Sequence, residues 1–254
     1  MATTAYTSQT TALNKPVHVV GTVPGSTAYV TQQPAKQSTI KRVFNFFASI
    51  QTLLAELQFL LGSPVLIAGA GCFLGRRLLA AAILYVIAYS LWVGAGLSII
   101  ASTFTKLLKD KKIHDGLSFT HSIGYLIATV LLVLGASLYI GPYTNVDGTD
   151  FAGLILFVVG AGFFFLASLL RFYVMVSRLV NSSWNTMTNK DKTLGVFYAL
   201  GASLYLIASV TLVVGAALYV VLSVDFDNAA SILWIITGAL VFFAALSNIV
   251  SRRY

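Results

Sequence analysis

Six stretches of the chain are apolar almost end to end, at about 53–74, 79–103, 119–140, 152–173, 195–222 and 230–249. Each is roughly the 20 residues a helix needs to cross the hydrocarbon core of a bilayer. Polar and charged residues gather between them, so the pattern predicts six transmembrane helices. Upstream, Val43, Phe46, Phe47 and Ile50 recur at three- and four-residue steps, with Asn45, Ser49 and Gln51 off that stripe. This periodicity predicts an amphipathic helix over 41–52. Behind Lys41 and Arg42, it would lie along the headgroups or pack on neighbouring helices. Residues 1–40 are rich in Thr and Gln and interrupted by Pro16, Pro24 and Pro34. They are expected to form an unstructured tail, retained because no apolar run has the length of a signal-peptide core. Pro64 falls inside the first window, so one helix kinked there is expected.

An internal repeat groups the spans in pairs. Tyr125–Ile140 and Tyr205–Val220 share 11 of 16 residues at an offset of 80. Val93–Ser102 and Val159–Ser168 share 6 of 10 at an offset of 66. The expected architecture is all-α: an integral membrane protein of three like-oriented two-helix repeats, 53–106, 119–181 and 195–250. Every span carries a Gly-Ala pair, beginning at Gly69, Gly94, Gly135, Gly160, Gly215 and Gly238. Further small residues recur seven positions away, as in Ala55, Gly62 and Gly69 or Gly201, Ala208 and Gly215. Apolar side chains gain nothing by leaving lipid, so membrane helices associate through close packing and hydrogen bonds. A small residue every seventh position supplies a seam for left-handed crossing. These six glycines are the predicted packing residues, with Leu, Ile, Val and Phe facing outward.

Composition agrees with a lipid solvent. Hydrophobic residues make up 57% of the chain and charged residues 9%, against about 25% charged in soluble domains. An ordinary soluble enzyme and a nucleic-acid-binding domain are thereby excluded, despite the net charge of +8. Of 16 Lys and Arg, 14 fall in the tail, after the even-numbered spans or at the end of the chain. They are Lys15, Lys36, Lys41, Arg42, Lys106, Lys109, Lys111, Lys112, Arg171, Arg178, Lys190, Lys192, Arg252 and Arg253. This asymmetry predicts both termini on the cytoplasmic or equivalent side. Arg76 and Arg77 dissent, in a short turn on the other side.

The Gly-Ala pairs followed by an aromatic, best developed over Gly124–Arg171 with GASLY at Gly135–Tyr139 and LFVVGAGFFFLAS at Leu156–Ser168, resemble the YrhK-like domain of paired membrane helices. The resemblance implies architecture and no activity.

Candidate chemistry is sparse. Charges inside spans default to functional sites, and only Glu56 and His121 qualify, both placed near a span end without a partner visible in the sequence. The single cysteine, Cys72, reads as a small packing residue. No phosphate loop, HExxH or CxxC occurs. Asn145, Asp147 and Asp150 have the alternating oxygen pattern of a fragment of a calcium loop, in what is more simply a polar turn. The expected function is therefore non-enzymatic, without a cofactor: a structural, scaffolding or assembly role in a membrane. The expected partners are the bilayer and other membrane proteins or a second copy, not nucleic acid. The alternative is a channel or facilitator for a small neutral solute, with Ser90, Thr129, Ser168, Ser209 and Thr211 lining its path.

Overall fold

The computed structural model describes residues 39–110, 113–140, 150–181, 187–220 and 224–251. Among these the chain forms six helices: α1 (Thr39–Leu74), α2 (Leu78–Asp110), α3 (Ile113–Ile140), α4 (Asp150–Val180), α5 (Asn189–Val220) and α6 (Val224–Ser251). All six are long and apolar enough to cross a membrane. Helices are the form this composition requires, because lipid offers no partner for unsatisfied backbone groups. The fold is that of an integral membrane protein.

One local expectation changes. The segment 41–52 is not a separate helix. It is the opening of α1, which runs 36 residues without a break. Pro64 also lies within that helix. Immediately before it, the Ser63 hydroxyl donates to the Phe59 carbonyl, one turn back, at 2.7 Å.

Successive helices run antiparallel and pack on one another, and α6 packs on α1, so the six close into a ring. The odd-numbered helices alternate around it. Each presents one residue per layer to the axis, at seven-residue spacing. Phe59, Tyr125 and Tyr205 are fully buried and meet with ring centroids 5.5–6.4 Å apart. Leu66, Leu132 and Leu212, seven residues on, are also fully buried. Phe73 and Tyr219 follow, 5.0 Å apart. Tyr89, Trp92, Phe157, Phe164 and Trp234 of the even helices fill the spaces between. From the Phe59 layer to the end where α1 turns into α2, the axis is occupied by side chains.

The six predicted packing glycines all lie against a neighbouring helix. A Cβ added at Gly69 would come within 2.9 Å of Tyr85, at Gly94 within 2.7 Å of Gln58, and at Gly160 within 3.1 Å of the Ala128 carbonyl. At Gly135 it would meet the Gly153 carbonyl oxygen at 2.9 Å, at Gly215 the Trp234 indole at 2.6 Å, and at Gly238 the Ile67 side chain at 2.6 Å. Gly71, Gly116 and Gly162 by contrast face open space.

The dissenting arginines occupy the α1–α2 turn. Arg77 N donates to the Cys72 carbonyl and Arg76 N to the Phe73 carbonyl, each at 2.9 Å. These two bonds make a Schellman cap, whose left-handed position usually belongs to glycine. Here it is Arg76, at φ 61°. Its guanidinium acts electrostatically on Asp227, at the start of α6. Arg76→Gly is expected to raise stability by about 1 kcal/mol, the cost of the left-handed conformation for a side-chain-bearing residue. An unchanged or lower unfolding midpoint in detergent would mean that the Asp227 interaction outweighs the strain.

Candidate functional site

At the end of the bundle where α1 begins, the helices enclose a cavity of about 400 Å³. All six helices line it, so it lies on the axis. Asn45, Ser49, Lys106 and Arg178 at its mouth are exposed, and Tyr198 is half-buried. Deeper, the walls carry Thr52, Ser102, Thr103, Ser118 and His121. The hydroxyls also tie the helices together. Thr52 Oγ1 and Ser102 Oγ are 2.6 Å apart, and Thr103 Oγ1 donates to Ser122 Oγ at 3.1 Å.

The floor is a charged network centred on Glu56, which is 2% exposed. Arg171 Nη2 and Asn248 Nδ2 each donate to Glu56 Oε1 at 3.2 Å, and the Tyr205 hydroxyl donates to Oε2 at 2.9 Å. Arg171 also lies over the Tyr205 ring, 4.6 Å from its centroid. The network thus joins α1, α4, α5 and α6 through one carboxylate. Beside it the Tyr125 hydroxyl and Ser168 Oγ are 2.9 Å apart, and His121 packs edge-on against the Tyr125 ring. One turn deeper the aromatic layers begin.

This corrects the placement of Glu56 as a polar residue near a span end without a partner. It also corrects the placement of Arg171 as a loop cation. Arg171 lies 21 residues into α4 and nine from its end, about 31 and 13 Å along the axis. At the same level the outer surface carries exposed Leu57, Leu97, Ile123, Leu169, Ile207 and Leu246. The pair is therefore a buried charge inside an apolar belt. The sequence does contain a trace of it: at the repeat offsets of 66 and 80, the register of Glu56 holds Ser122 and Ala202. Departure from the repeat at an inward position marks the site. His121 lines the cavity and is buried.

The residues suggested for a solute path do not assemble into one. Ser90 is exposed on the outer surface. Thr129 and Ser209 bond backbone carbonyls of their own helices, Ser168 pairs with Tyr125, and Thr211 pairs with Thr237. Cys72 is a free thiol, half-buried within α1. Of the calcium candidates, Asn145 and Asp147 lie outside the described residues. Only the backbone of Asp150, which opens α4, is described. Among the described residues no three His, Cys, Asp or Glu side chains gather as metal ligands would.

Fold and site together define a six-helix integral membrane protein with a polar vestibule at one end and a side-chain-filled axis at the other. No family model, curated protein or solved structure matches the chain.

Proposed function

We propose that this protein is a non-enzymatic multi-pass membrane component with a structural or assembly role, built from three YrhK-like helix pairs. Its termini face the cytoplasmic or equivalent side, as the distribution of Lys and Arg favours. The observation that carries this reading is the filled axis. Stacked Phe59–Tyr125–Tyr205, Leu66–Leu132–Leu212 and Phe73–Tyr219 layers leave a solute no way through. The ring of helices is rigidified by backbone approach at glycines and by interhelical hydroxyl bonds. Those features suit a membrane body that other proteins, or further copies, assemble around. The stripes at seven-residue spacing in α1, α3 and α5 support reading the three pairs as one hairpin used three times.

The facilitator reading has one observation in its favour, the vestibule that enters from one end. It requires the aromatic layers to part. Reconstituted into liposomes, the protein is expected to leave water, urea and glycerol permeation at the protein-free rate. Saturable flux of any one of them would displace the structural role in favour of facilitation.

A further inference from the structure

The side chains that face away from the bundle are apolar over a height that can be read from the helices. In α2 the stretch 78–105 carries no charge, which is about 42 Å of helix. In α4 the stretch 151–177 is about 40 Å long and holds one charge, Arg171, which turns inward to Glu56. In α5 the stretch 193–220 is again uncharged, about 42 Å. Large apolar side chains are exposed toward both ends of each stretch: Leu79 and Phe104, Ile155 and Val176, Val196 and Val220. The exposed hydroxyls of Thr120 and Ser137 in α3 donate to carbonyls of their own helix, at Gly116 and Val133. Among the described residues, exposed charges stand only at the two rims of this belt. Arg42, Lys106, Arg178 and Lys190 are at the vestibule end, and Arg76 and Arg77 at the other.

With the usual helix tilt of about 20°, the belt stands about 38 Å along the membrane normal. A typical hydrocarbon core is about 30 Å thick, and a sterol-rich one about 33 Å. The upper rim is not set too high by this measure, since Leu108 and Val180 lie further out than Lys106 and Arg178 and are exposed as well. The excess cannot be absorbed helix by helix. The ring is closed by α6 on α1, and Glu56 joins α1, α4, α5 and α6. The bundle therefore tilts only as a body, which sinks the belt on one side as it raises it on the other. Each ångström of mismatch carries a small free-energy cost, and the cost grows with the excess.

We propose that this belt is matched to a hydrocarbon core of about 38 Å, so that the protein selects bilayers of long-chain lipid and thickens thinner ones around itself. The partner surface is the acyl-chain region, not the headgroups. The inference needs only the membrane-spanning fold and stands apart from the proposed structural role.

The test reconstitutes the full chain into phosphatidylcholine bilayers with dimyristoleoyl, dioleoyl or dierucoyl chains, in order of increasing thickness, and heats each at one rate. Trp92 and Trp234, fully buried, report unfolding through their fluorescence. The midpoint is expected to rise at each step by about 2–4 °C. A maximum in dioleoyl lipid or a flat series would overturn the assignment. Ala101→Lys/Tyr173→Lys separates the belt from any general effect of longer chains. Both residues are exposed, and the substitutions lower the upper rim on α2 and α4 by about 7 Å. The gain between dioleoyl and dierucoyl lipid should then shrink by about half or more. An equal gain in the variant would mean that thickness acts other than through the belt, and the match would be rejected. If the variant does not fold, electron cryomicroscopy of the wild-type chain in dioleoyl nanodiscs decides. A bilayer thicker beside the protein than away from it is expected, and uniform thickness would refute the match.

Discussion

Glu56→Leu is expected to destabilise the bundle by roughly 3 kcal/mol, measured as reversible unfolding in mixed micelles. Breaking a buried ion pair by removing one partner costs about 3–5 kcal/mol, mainly because the other charge stays behind uncompensated. The lower end applies here because Arg171, at 12% exposure, borders the vestibule and its water. Two further losses attend the substitution: Tyr205 and Asn248 lose the acceptor for their hydrogen bonds. Glu56→Gln separates these effects. It removes the charge and turns one acceptor oxygen into an amide donor but keeps the other oxygen as acceptor, so it should cost less than Glu56→Leu. Arg171→Leu should be comparably damaging, since it strands the carboxylate. The Glu56→Leu/Arg171→Leu double variant should then be less unstable than the sum of the two singles by at least about 1 kcal/mol. Additivity within about 0.5 kcal/mol is what non-interacting sites show, and here it would mean that the pair contributes nothing as a pair.

Gly135→Leu is expected to abolish folding or to lower the unfolding midpoint severely, while Gly162→Leu leaves it nearly unchanged. Both glycines lie in membrane-spanning helices and both substitutions add the same side chain. The difference is what the side chain meets. At Gly135 the first added carbon faces the Gly153 carbonyl oxygen at 2.9 Å and the Phe157 backbone nitrogen at 3.2 Å. Backbone cannot rotate aside as a side chain can, so α3 and α4 would have to separate. Overpacking costs about 1–3 kcal/mol where neighbours can adjust, and more is expected where they cannot. At Gly162 nothing lies within 4 Å, and a leucine would face lipid. Gly94→Ala gives an intermediate case, because its new carbon would press on the flexible end of Gln58. Equal midpoints for Gly135→Leu and Gly162→Leu would refute close helix approach as the basis of the bundle.

The packing residues were legible in the sequence because they obey a local rule. Gly69, Gly135 and Gly215 recur in the same sequence setting, and close helix approach in lipid requires small residues wherever it happens. The inward aromatic stripe was not legible. Phe59, Tyr125 and Tyr205 were indistinguishable in composition from outward residues such as Phe163 and Tyr173, which are exposed. In water a buried face stands out by its apolarity; in lipid both faces are apolar, so the pattern cannot point inward. The charged floor was missed for a different reason. Arg171 follows a run of apolar residues and looks like the first cation of a loop, as Lys106 does after span two. Only the continuation of α4 to Val180 places it inside the bundle.

The sequence by itself determined the six spans and the small residues at which neighbouring helices approach. Each follows from segment length or seven-residue spacing, properties that a single helix or a neighbouring pair expresses. Tertiary structure alone decided that α6 closes on α1, that aromatic layers fill the axis, and that Glu56 meets Arg171 across 115 residues of chain. Those outcomes depend on how six helices rotate about their own axes when the ring shuts. Rotation is set by the fit of all neighbours at once, and a chain surrounded by lipid has no polar face to record it.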